Sequence, residues 1–216
     1  MHDESEPLTV NDDQGRTWSV AVAPEVQHLA SSTGSGRVRL WDLPSGEMRW
    51  ERDADAGRVR SITFDDGGDL LAACGGDGLV RVWHAPTGDP VTDFSNPAGC
   101  ARTVAVDPPG KRLAVGSGAG EIYVRDIAGE GFTAHLSGHT GRVLLLGFTR
   151  NPDRLVSAAA DGTARIWSLS EQRQLAEVRL DASLQCAAFH PATGRLLAAN
   201  AAGVAMVTVD AGHTSR

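Results

Sequence analysis

Residues 154–168 read RLVSAAADGTARIWS, and this stretch decides the fold because it recurs along the chain at a nearly constant interval. Its equivalents are HLASSTGSGRVRLWD at 28–42, LLAACGGDGLVRVWH at 70–84, RLAVGSGAGEIYVRD at 112–126 and RLLAANAAGVAMVTV at 195–209. The central glycines are Gly36, Gly78, Gly120, Gly162 and Gly203, at intervals of 42, 42, 42 and 41 residues. A fixed period of roughly 20 to 50 residues marks a repeat architecture. The 216 residues therefore hold about five units.

Each unit is predicted to consist of β-strands. A first run alternates apolar and polar residues, as in SITF at 61–64, and a second run of small residues follows. The Asp-Gly pair at 77–78 predicts a two-residue hairpin with a type I′ turn, in which glycine supplies the positive φ. A third run is rich in β-branched residues, and a weaker fourth run leads into the next unit. The pattern predicts an all-β array of about five four-stranded units.

The composition excludes several classes of protein. Apolar residues make up 41% of the chain and charged residues 22%, as in ordinary globular proteins. The longest apolar run, residues 143–146, is far shorter than the roughly 18 residues of a membrane span, so no membrane partner is expected. No apolar segment follows the acidic start, and we expect a cytoplasmic protein. The net charge of −7 repels phosphate backbones, so nucleic acid is not expected as a partner.

The tryptophans and turn residues of the repeat resemble the WD40-repeat β-propeller family. The features that carry this resemblance are Trp41-Asp42, Trp83, Trp167, the Asp-Gly pairs six residues before the last two, and Gly138-His139. The resemblance covers about residues 17–210 and implies four-stranded blades placed radially around a channel. We expect residues 1–16 to be an acidic lead-in with a closing strand, 17–210 to hold the repeats, and 211–216 to be a tail. The repeats are placed at about 17–56, 57–98, 99–138, 139–181 and 182–210.

Two architectures remain open for the ends of the array. The fifth unit has three strand-like runs and then only a short polar tail, so it lacks a fourth strand. We hypothesise that Leu8 to Val10 supply this strand and close a five-bladed ring, since closure removes exposed sheet edges. The alternative is an open arc that belongs to a larger propeller or completes itself by self-association, and the degenerate fifth unit favours it.

The fourth unit has the full set of residues that the family uses as a structural network. The resemblance implies that His139, Ser157, Asp161 and Trp167 form hydrogen bonds through the blade and hold the turn in place. The other units lack one or more of these residues; the third has Arg125 at the tryptophan position. Trp41, Trp83 and Trp167 are interpreted as packing between blades, whereas Trp50 suits either packing or binding.

One position of the repeat varies strongly in residue type and is the predicted partner-binding face. It holds Trp18, Arg60, Arg102, Leu144 and Gln185, at intervals of 42, 42, 42 and 41 residues. The resemblance implies that this position opens onto one face around the channel, and Trp and Arg are frequent interface hot spots. The alternative interpretation is a tolerant exposed position without function.

Other motifs have a structural explanation. The GSGAG run at 116–120 precedes a strand rather than a helix, so it is interpreted as a hairpin and not as a dinucleotide loop. His135 and His139 have a metal-ligand spacing only on a helix, and no metal site is expected. Ser157, His139 and Asp161 have the residue types of a catalytic triad, but the resemblance makes them internal braces. We expect no catalytic residue and no cofactor.

These observations predict a non-catalytic scaffold or adaptor that binds a protein or peptide. One alternative is the sensor or regulatory portion of a larger signalling ATPase or kinase. Another is a five-bladed propeller hydrolase, which would need paired carboxylates at the channel. The predicted channel position holds Trp, Arg, Arg, Leu and Gln instead, so the hydrolase alternative is disfavoured.

Overall fold

The structure is a computed structural model that describes residues 16–54, 57–180 and 182–208. Nineteen β-strands and no helix occur in these ranges, and the strands form five antiparallel sheets, which we call blades 1 to 5. Strands adjacent in the sequence are adjacent in each sheet, so every blade is a meander. The predicted all-β architecture with a β-propeller arrangement of blades is confirmed.

The blades follow the repeats in order. Blade 1 holds β1 (Thr17–Val22), β2 (His28–Thr33), β3 (Arg37–Asp42) and β4 (Met48–Asp53). Blade 2 holds β5 (Val59–Phe64), β6 (Leu70–Gly75), β7 (Leu79–His84) and β8 (Pro90–Ser95). Blade 3 holds β9 (Ala101–Val106), β10 (Arg112–Ser117), β11 (Ile122–Asp126) and β12 (Phe132–Leu136). Blade 4 holds β13 (Val143–Phe148), β14 (Arg154–Ala159), β15 (Thr163–Ser168) and β16 (Arg173–Arg179), and blade 5 holds β17 (Cys186–His190), β18 (Arg195–Asn200) and β19 (Gly203–Thr208).

The repeated glycine sets the turn between the second and third strands of each blade. The φ angles are 91° at Gly36, 82° at Gly78, 93° at Gly120, 82° at Gly162 and 142° at Gly203. The predicted type I′ turn is wrong, because it needs positive φ at both central residues and Asp77 does not have it. Instead, the amide of Gly78 donates to the carbonyl of Gly75 (3.2 Å), and the glycine ends a turn that begins three residues earlier.

The apolar core lies between successive blades. Between blades 1 and 2, Leu40 and Trp50 pack with Ile62 and Trp83 in one buried cluster. The indole Nε1 of Trp50 donates to the carbonyl of Ala85 across the blade boundary (2.8 Å). Of the two roles that the sequence left open for Trp50, the structure therefore supports packing.

Arg125 takes the place of the tryptophan in blade 3. Its guanidinium carbon lies 4.2 Å from the ring centre of Phe94 in blade 2, a cation–π contact. The guanidinium also donates to the carbonyls of Asp126 and Gly129, and the residue is buried. The side chain thus packs between blades as an indole would, with its charge placed against an aromatic face and backbone oxygens.

The first strands of the five blades lie side by side around the axis of the array. β1 contacts β5, β5 contacts β9, β9 contacts β13, and β13 contacts β17. Among the described residues, no comparable contact leads from β17 back to β1. Apolar side chains are exposed on the two end blades, with Val20 at 60% and Val204 at 73%. The hypothetical closing strand, Leu8 to Val10, lies outside the described residues, so blade 5 is described with three strands.

Candidate functional site

A β-bulge occurs at the same place in the first strand of blades 1 to 4. The pairing register between the first and second strands shifts so that one residue of the first strand has no partner. The unpaired residues are Trp18, Arg60, Arg102 and Leu144. A bulge interrupts the alternation of a strand and redirects the extra side chain. The same β-bulge, repeated in four blades, therefore positions four of the five residues of the predicted partner-binding face.

Gln185, the fifth residue of that face, is placed differently. It lies just before β17, and its amide donates to the carbonyl of Ala199 (2.9 Å). The described pairing of β17 with β18 has no register shift. Blade 5 therefore presents this position without the bulge that the other four blades share.

A second ring of residues lies two positions before the bulges and was not predicted from the sequence. It holds Arg16, Arg58, Cys100, Arg142 and Ser183, at intervals of 42, 42, 42 and 41 residues. In blades 1 to 4 the carbonyl of this residue accepts from an amide after the second strand, at 3.1, 3.1, 3.4 and 2.9 Å. The backbone is thus held in place in all four blades, and the side chain is arginine in blades 1, 2 and 4. The same spacing that identified Trp18 and Arg60 was the available signal, and we call the two rings together the inner rim.

Trp18 and two arginines pack together on the inner rim. The guanidinium carbon of Arg58 lies 4.0 Å from the ring centre of Trp18, and that of Arg16 lies 5.2 Å away. A Cβ at Gly34 would lie 2.7 Å from Nε1 of Trp18, so the absence of a side chain there makes room for the indole. Trp18 remains 38% exposed, so this group is accessible at the surface.

The electrostatic environment of the inner rim is positive. Burial lowers the pKa of Arg102, and the neighbouring charge of Arg60 lowers it further. Arg142 and Arg58 act in the same direction with smaller effects. The charges of arginines in blades 2 and 4 therefore both act on Arg102 in blade 3.

A network of hydrogen bonds crosses the interior of blade 4. Nε1 of Trp167 donates to Oγ of Ser157 (2.8 Å), and that hydroxyl lies 2.7 Å from Nε2 of His139. Nδ1 of His139 lies 3.0 Å from Oδ2 of Asp161. One proton arrangement satisfies all of these groups: the serine hydroxyl donates to Nε2, and a neutral histidine donates from Nδ1 to the carboxylate.

The same network holds the turn between β14 and β15. The amides of Thr140 and Thr163 donate to the carboxylate of Asp161, each at 2.9 Å, and the Thr163 hydroxyl donates to it at 2.7 Å. Burial acts to raise the pKa of Asp161, but these donors outweigh it and hold the pKa at about 2. Burial lowers the pKa of His139 despite the bond to Asp161, which favours the neutral ring.

The serine, histidine and aspartate have the contacts of a catalytic triad but not its accessibility. Ser157 has no exposed surface, and its hydroxyl is engaged by both Trp167 and His139. A substrate cannot reach a nucleophile enclosed in this way. The arrangement supports a bracing role for these side chains.

Two further features bear on function. In the described part of the chain, no group of three or more His, Cys, Asp or Glu residues is arranged to hold a metal ion. Among the same residues, no helix has the length and hydropathy needed to cross a membrane.

Comparison with known proteins identifies the repeat. No curated protein matches the chain significantly. The family model described as "WD domain, G-beta repeat" matches residues 6–42, 50–84 and 131–168, which together make up just over half of the sequence. Each match ends one residue after a tryptophan of a third strand, Trp41, Trp83 or Trp167. The chain, with its repeat, its propeller arrangement of blades and these matches, belongs to the WD40 family.

Proposed function

We propose that this protein is a non-catalytic interaction scaffold that binds a protein or peptide across the inner rim, without a cofactor. WD40 propellers generally bind protein partners, and the repeats and the fold are consistent with that role. The family and the fold support the class of function, and the inner rim supplies the candidate surface.

The observation that carries the proposal is the repeated bulge. The same backbone irregularity in four blades presents Trp18, Arg60, Arg102 and Leu144 at equivalent places on adjacent strands. Their side chains differ although their backbone is the same. Leu144 packs partly on the buried cluster that contains Leu184, whereas Trp18, Arg60 and Arg102 belong to no buried cluster, as expected of side chains used for recognition. Trp and Arg also have the chemistry most often found at the centre of protein interfaces.

Affinity capture with the intact protein and with a W18A/R60A/R102A variant tests the proposal. We expect the triple variant to lose partners that the intact protein captures, because three central contacts are removed together. The circular dichroism spectrum and the cooperative thermal transition should persist, since none of the three side chains belongs to the buried clusters between blades.

A matched control is available on the outer strand β16. The variant R173A/L175A/R179A removes two arginines and one apolar side chain, and Leu175 has the same 38% exposure as Trp18. We expect this control to retain every captured partner. Retention of the same partners by the inner-rim variant would contradict the proposed function.

A second candidate function, self-association, is favoured by the uncovered end blades. Val20 and Val22 are exposed in blade 1, whereas Ile62 and Phe64, at the same positions of blade 2, are buried. At the other end, Leu197 is exposed, whereas its equivalent Val156 in blade 4 is buried against blade 5. The two end faces thus resemble the two sides of an internal blade boundary. Blade 5 of one copy therefore fits blade 1 of another, a head-to-tail contact.

The mass of the protein in solution tests this second candidate. A stable dimer supports paired arcs, whereas a monomer near 22.7 kDa supports a closed ring and contradicts self-association. A V204E/M206E variant places two charges on the exposed face of blade 5 and should convert a dimer to monomers. A dimer unchanged by this variant would show that blade 5 is not at the interface.

A further inference from the structure

The third strand of blade 5 has an open edge. β3, β7, β11 and β15 each pair with a strand on both sides, whereas β19 pairs with β18 alone among the described residues. The free edge of such a strand presents backbone amides and carbonyls that can pair with another strand. Val204 and Met206 on β19 are also 73% and 60% exposed. Blade 5 therefore offers both a backbone edge and an apolar face to one further strand.

The exposed side chains of β19 occupy positions that are buried in the other blades. The repeated leucine of the second strand pairs with Trp41 in blade 1 and with Val207 in blade 5. Val204 and Met206, three residues and one residue before Val207, are therefore equivalent to the residues three and one before Trp41. The residues at these two positions in blades 1 to 3 are no more than 1% exposed: Val38, Leu40, Val80, Val82, Ile122 and Val124.

The sequence before β1 has the register of an outer strand. Residues 6–11, EPLTVN, precede β4 by 42 residues, which is one repeat. Residues 12–16 then lead to β1, as residues 54–58 lead from β4 to β5. The first match of the family model begins at residue 6, and the second begins within β4. Residues 6–11 lie outside the described residues, and the repeat predicts that they form the outer strand of a blade that stands before blade 1.

Two apolar side chains of this segment have the register of core residues. Leu8 is equivalent to Trp50, and Val10 is equivalent to Phe94 of blade 2. Trp50 lies in the buried cluster between blades 1 and 2, and Phe94 lies in the one between blades 2 and 3. We therefore expect both side chains of the segment to pack against the blade that follows it.

The pairing of the outer strands predicts which residues would meet on β19. In blades 1 to 3 an outer-strand residue lies opposite a buried apolar residue of the third strand, in the pairs Trp50–Leu40, Phe94–Val80 and Leu136–Ile122. In blade 5 the same register pairs Leu8 with Met206. It also pairs Val10 with Val204. Four apolar side chains are thereby brought to one face of the completed sheet.

A second copy of the chain brings the segment and the open edge together. An outer strand belongs to the blade beside the first strand that follows it, as β4 pairs in blade 1 and leads into β5. Residues 6–11 therefore need a blade beside β1, on the side away from β5. Among the described residues, no first strand lies beside β1 on that side as β5 does on the other. Blade 5 of a second copy fits this place, because its β19 lacks an outer strand.

We infer that two copies of the chain exchange strands, so that residues 6–11 of each copy pair with β19 of the other and complete its blade 5. This inference rests on the second candidate function, self-association, because it names the segment that joins the copies. The donor segment and the acceptor edge are different parts of the chain, so reciprocal exchange within a pair leaves neither edge open. The exposed Val20 and Val22 of the donor copy then lie against the apolar face of the completed blade.

The molar mass of an L8E/V10E variant, measured by light scattering during gel filtration, tests the inference. We expect the intact protein to have twice the 22.7 kDa mass of one chain. The variant should elute as a monomer, with a dissociation constant raised at least about tenfold, because two carboxylates would have to be buried among apolar side chains. A dimer of unchanged stability in this variant would overturn the inference.

A matched control places the same charges on the other side of the segment. Successive side chains of a strand point to opposite faces, so Thr9 and Asn11 do not share the face of Leu8. The equivalent residues of β4 are Glu51 and Asp53, which shows that acidic side chains suit these positions. We expect T9E/N11E to remain a dimer like the intact protein. Dissociation of both variants alike would show that added charge alone separates the copies, and would overturn the inference.

Cysteine cross-linking separates exchange between copies from closure within one copy. V10C and V204C are made as separate variants in a C100S/C186S background, in which the remaining Cys74 is buried. The two are refolded together with copper phenanthroline, whose copper(II) ions accept the two electrons released when two thiols lose their protons and form one disulfide. We expect a covalent dimer from the mixture and none from either variant alone. T9C in place of V10C should give no cross-link, because its side chain points to the opposite face.

The inference and self-association fail in different experiments. A monomer of the intact protein near 22.7 kDa, or a V10C/V204C double variant whose disulfide forms only within one chain, contradicts both. If the intact protein is a dimer that V204E/M206E dissociates but L8E/V10E does not, self-association stands and the exchanged strand is wrong.

Discussion

Replacing Ser157 by alanine tests the blade 4 network most directly. The hydroxyl accepts from Nε1 of Trp167 at 2.8 Å and lies 2.7 Å from Nε2 of His139, and all three side chains are buried. S157A therefore leaves two buried polar atoms without a partner. Each such atom costs about 1 to 3 kcal/mol, so we expect a loss of about 3 kcal/mol. For a chain of this length, each kcal/mol of lost stability lowers the melting temperature by about 2 to 4 °C. We therefore expect S157A to melt about 6 to 12 °C below the intact protein.

Blade 1 supplies the matched control. Ser31 occupies the same position in the repeat and accepts from Nε1 of Trp41 at 2.9 Å. S31A leaves one buried donor without its acceptor, so we expect a loss of about 1 to 2 kcal/mol. Urea denaturation followed by tryptophan fluorescence, with thermal melting as a second measurement, gives both values on one scale. If S157A destabilises the protein no more than S31A does, the bond to His139 contributes nothing and the reasoning is refuted.

Three further predictions concern pH, blade packing and the ends of the array. The pKa of Asp161 is about 2 in the folded protein and 3.8 in the unfolded chain, so its contribution of about 2 kcal/mol is present above about pH 4 and is lost as the pH falls toward 2. In D161N the free energy of unfolding should decrease less between pH 4 and pH 2 than in the intact protein. An equal decrease in both proteins would contradict the lowered pKa of Asp161. W50F removes the bond to the carbonyl of Ala85 but keeps most of the apolar contact, and should cost about 1 kcal/mol in urea denaturation, whereas a cost near zero would argue against that bond. Deleting residues 1–11 should lower the melting temperature by several degrees if Leu8 to Val10 complete blade 5, and an unchanged melting temperature would refute the closing strand.

The repeat could be read from the sequence because few residues satisfy its turns. Gly78 and its equivalents adopt a positive φ in every blade, so the interval between these glycines gives the number of residues in each blade. The turn type was predicted wrongly, because an Asp-Gly pair also suits a turn that begins earlier and ends at the glycine. Local sequence thus located the turn without specifying which residues close it.

The inner rim could be predicted only in part. The spacing identified Trp18 and Arg60 as equivalent, but no residue type marks a bulge, so the redirected side chains could not be foreseen. The ring that contains Arg58 and Arg142 was missed because the charges of these arginines act on Arg102 only when blades 2, 3 and 4 stand side by side. The charge of −7 gave no indication of this local positive surface.

The amino-acid sequence by itself determined the number of repeats, the strands and the WD40 family, because period, turn glycines and strand alternation are local properties of the chain. Only the tertiary structure decided that Trp50 belongs to the core, that Ser157 is enclosed, and that the charge of Arg60 in blade 2 acts on Arg102 in blade 3. These features depend on how the blades pack. Packing brings together residues that are far apart in the sequence, and the local pattern of the chain does not show which residues will meet.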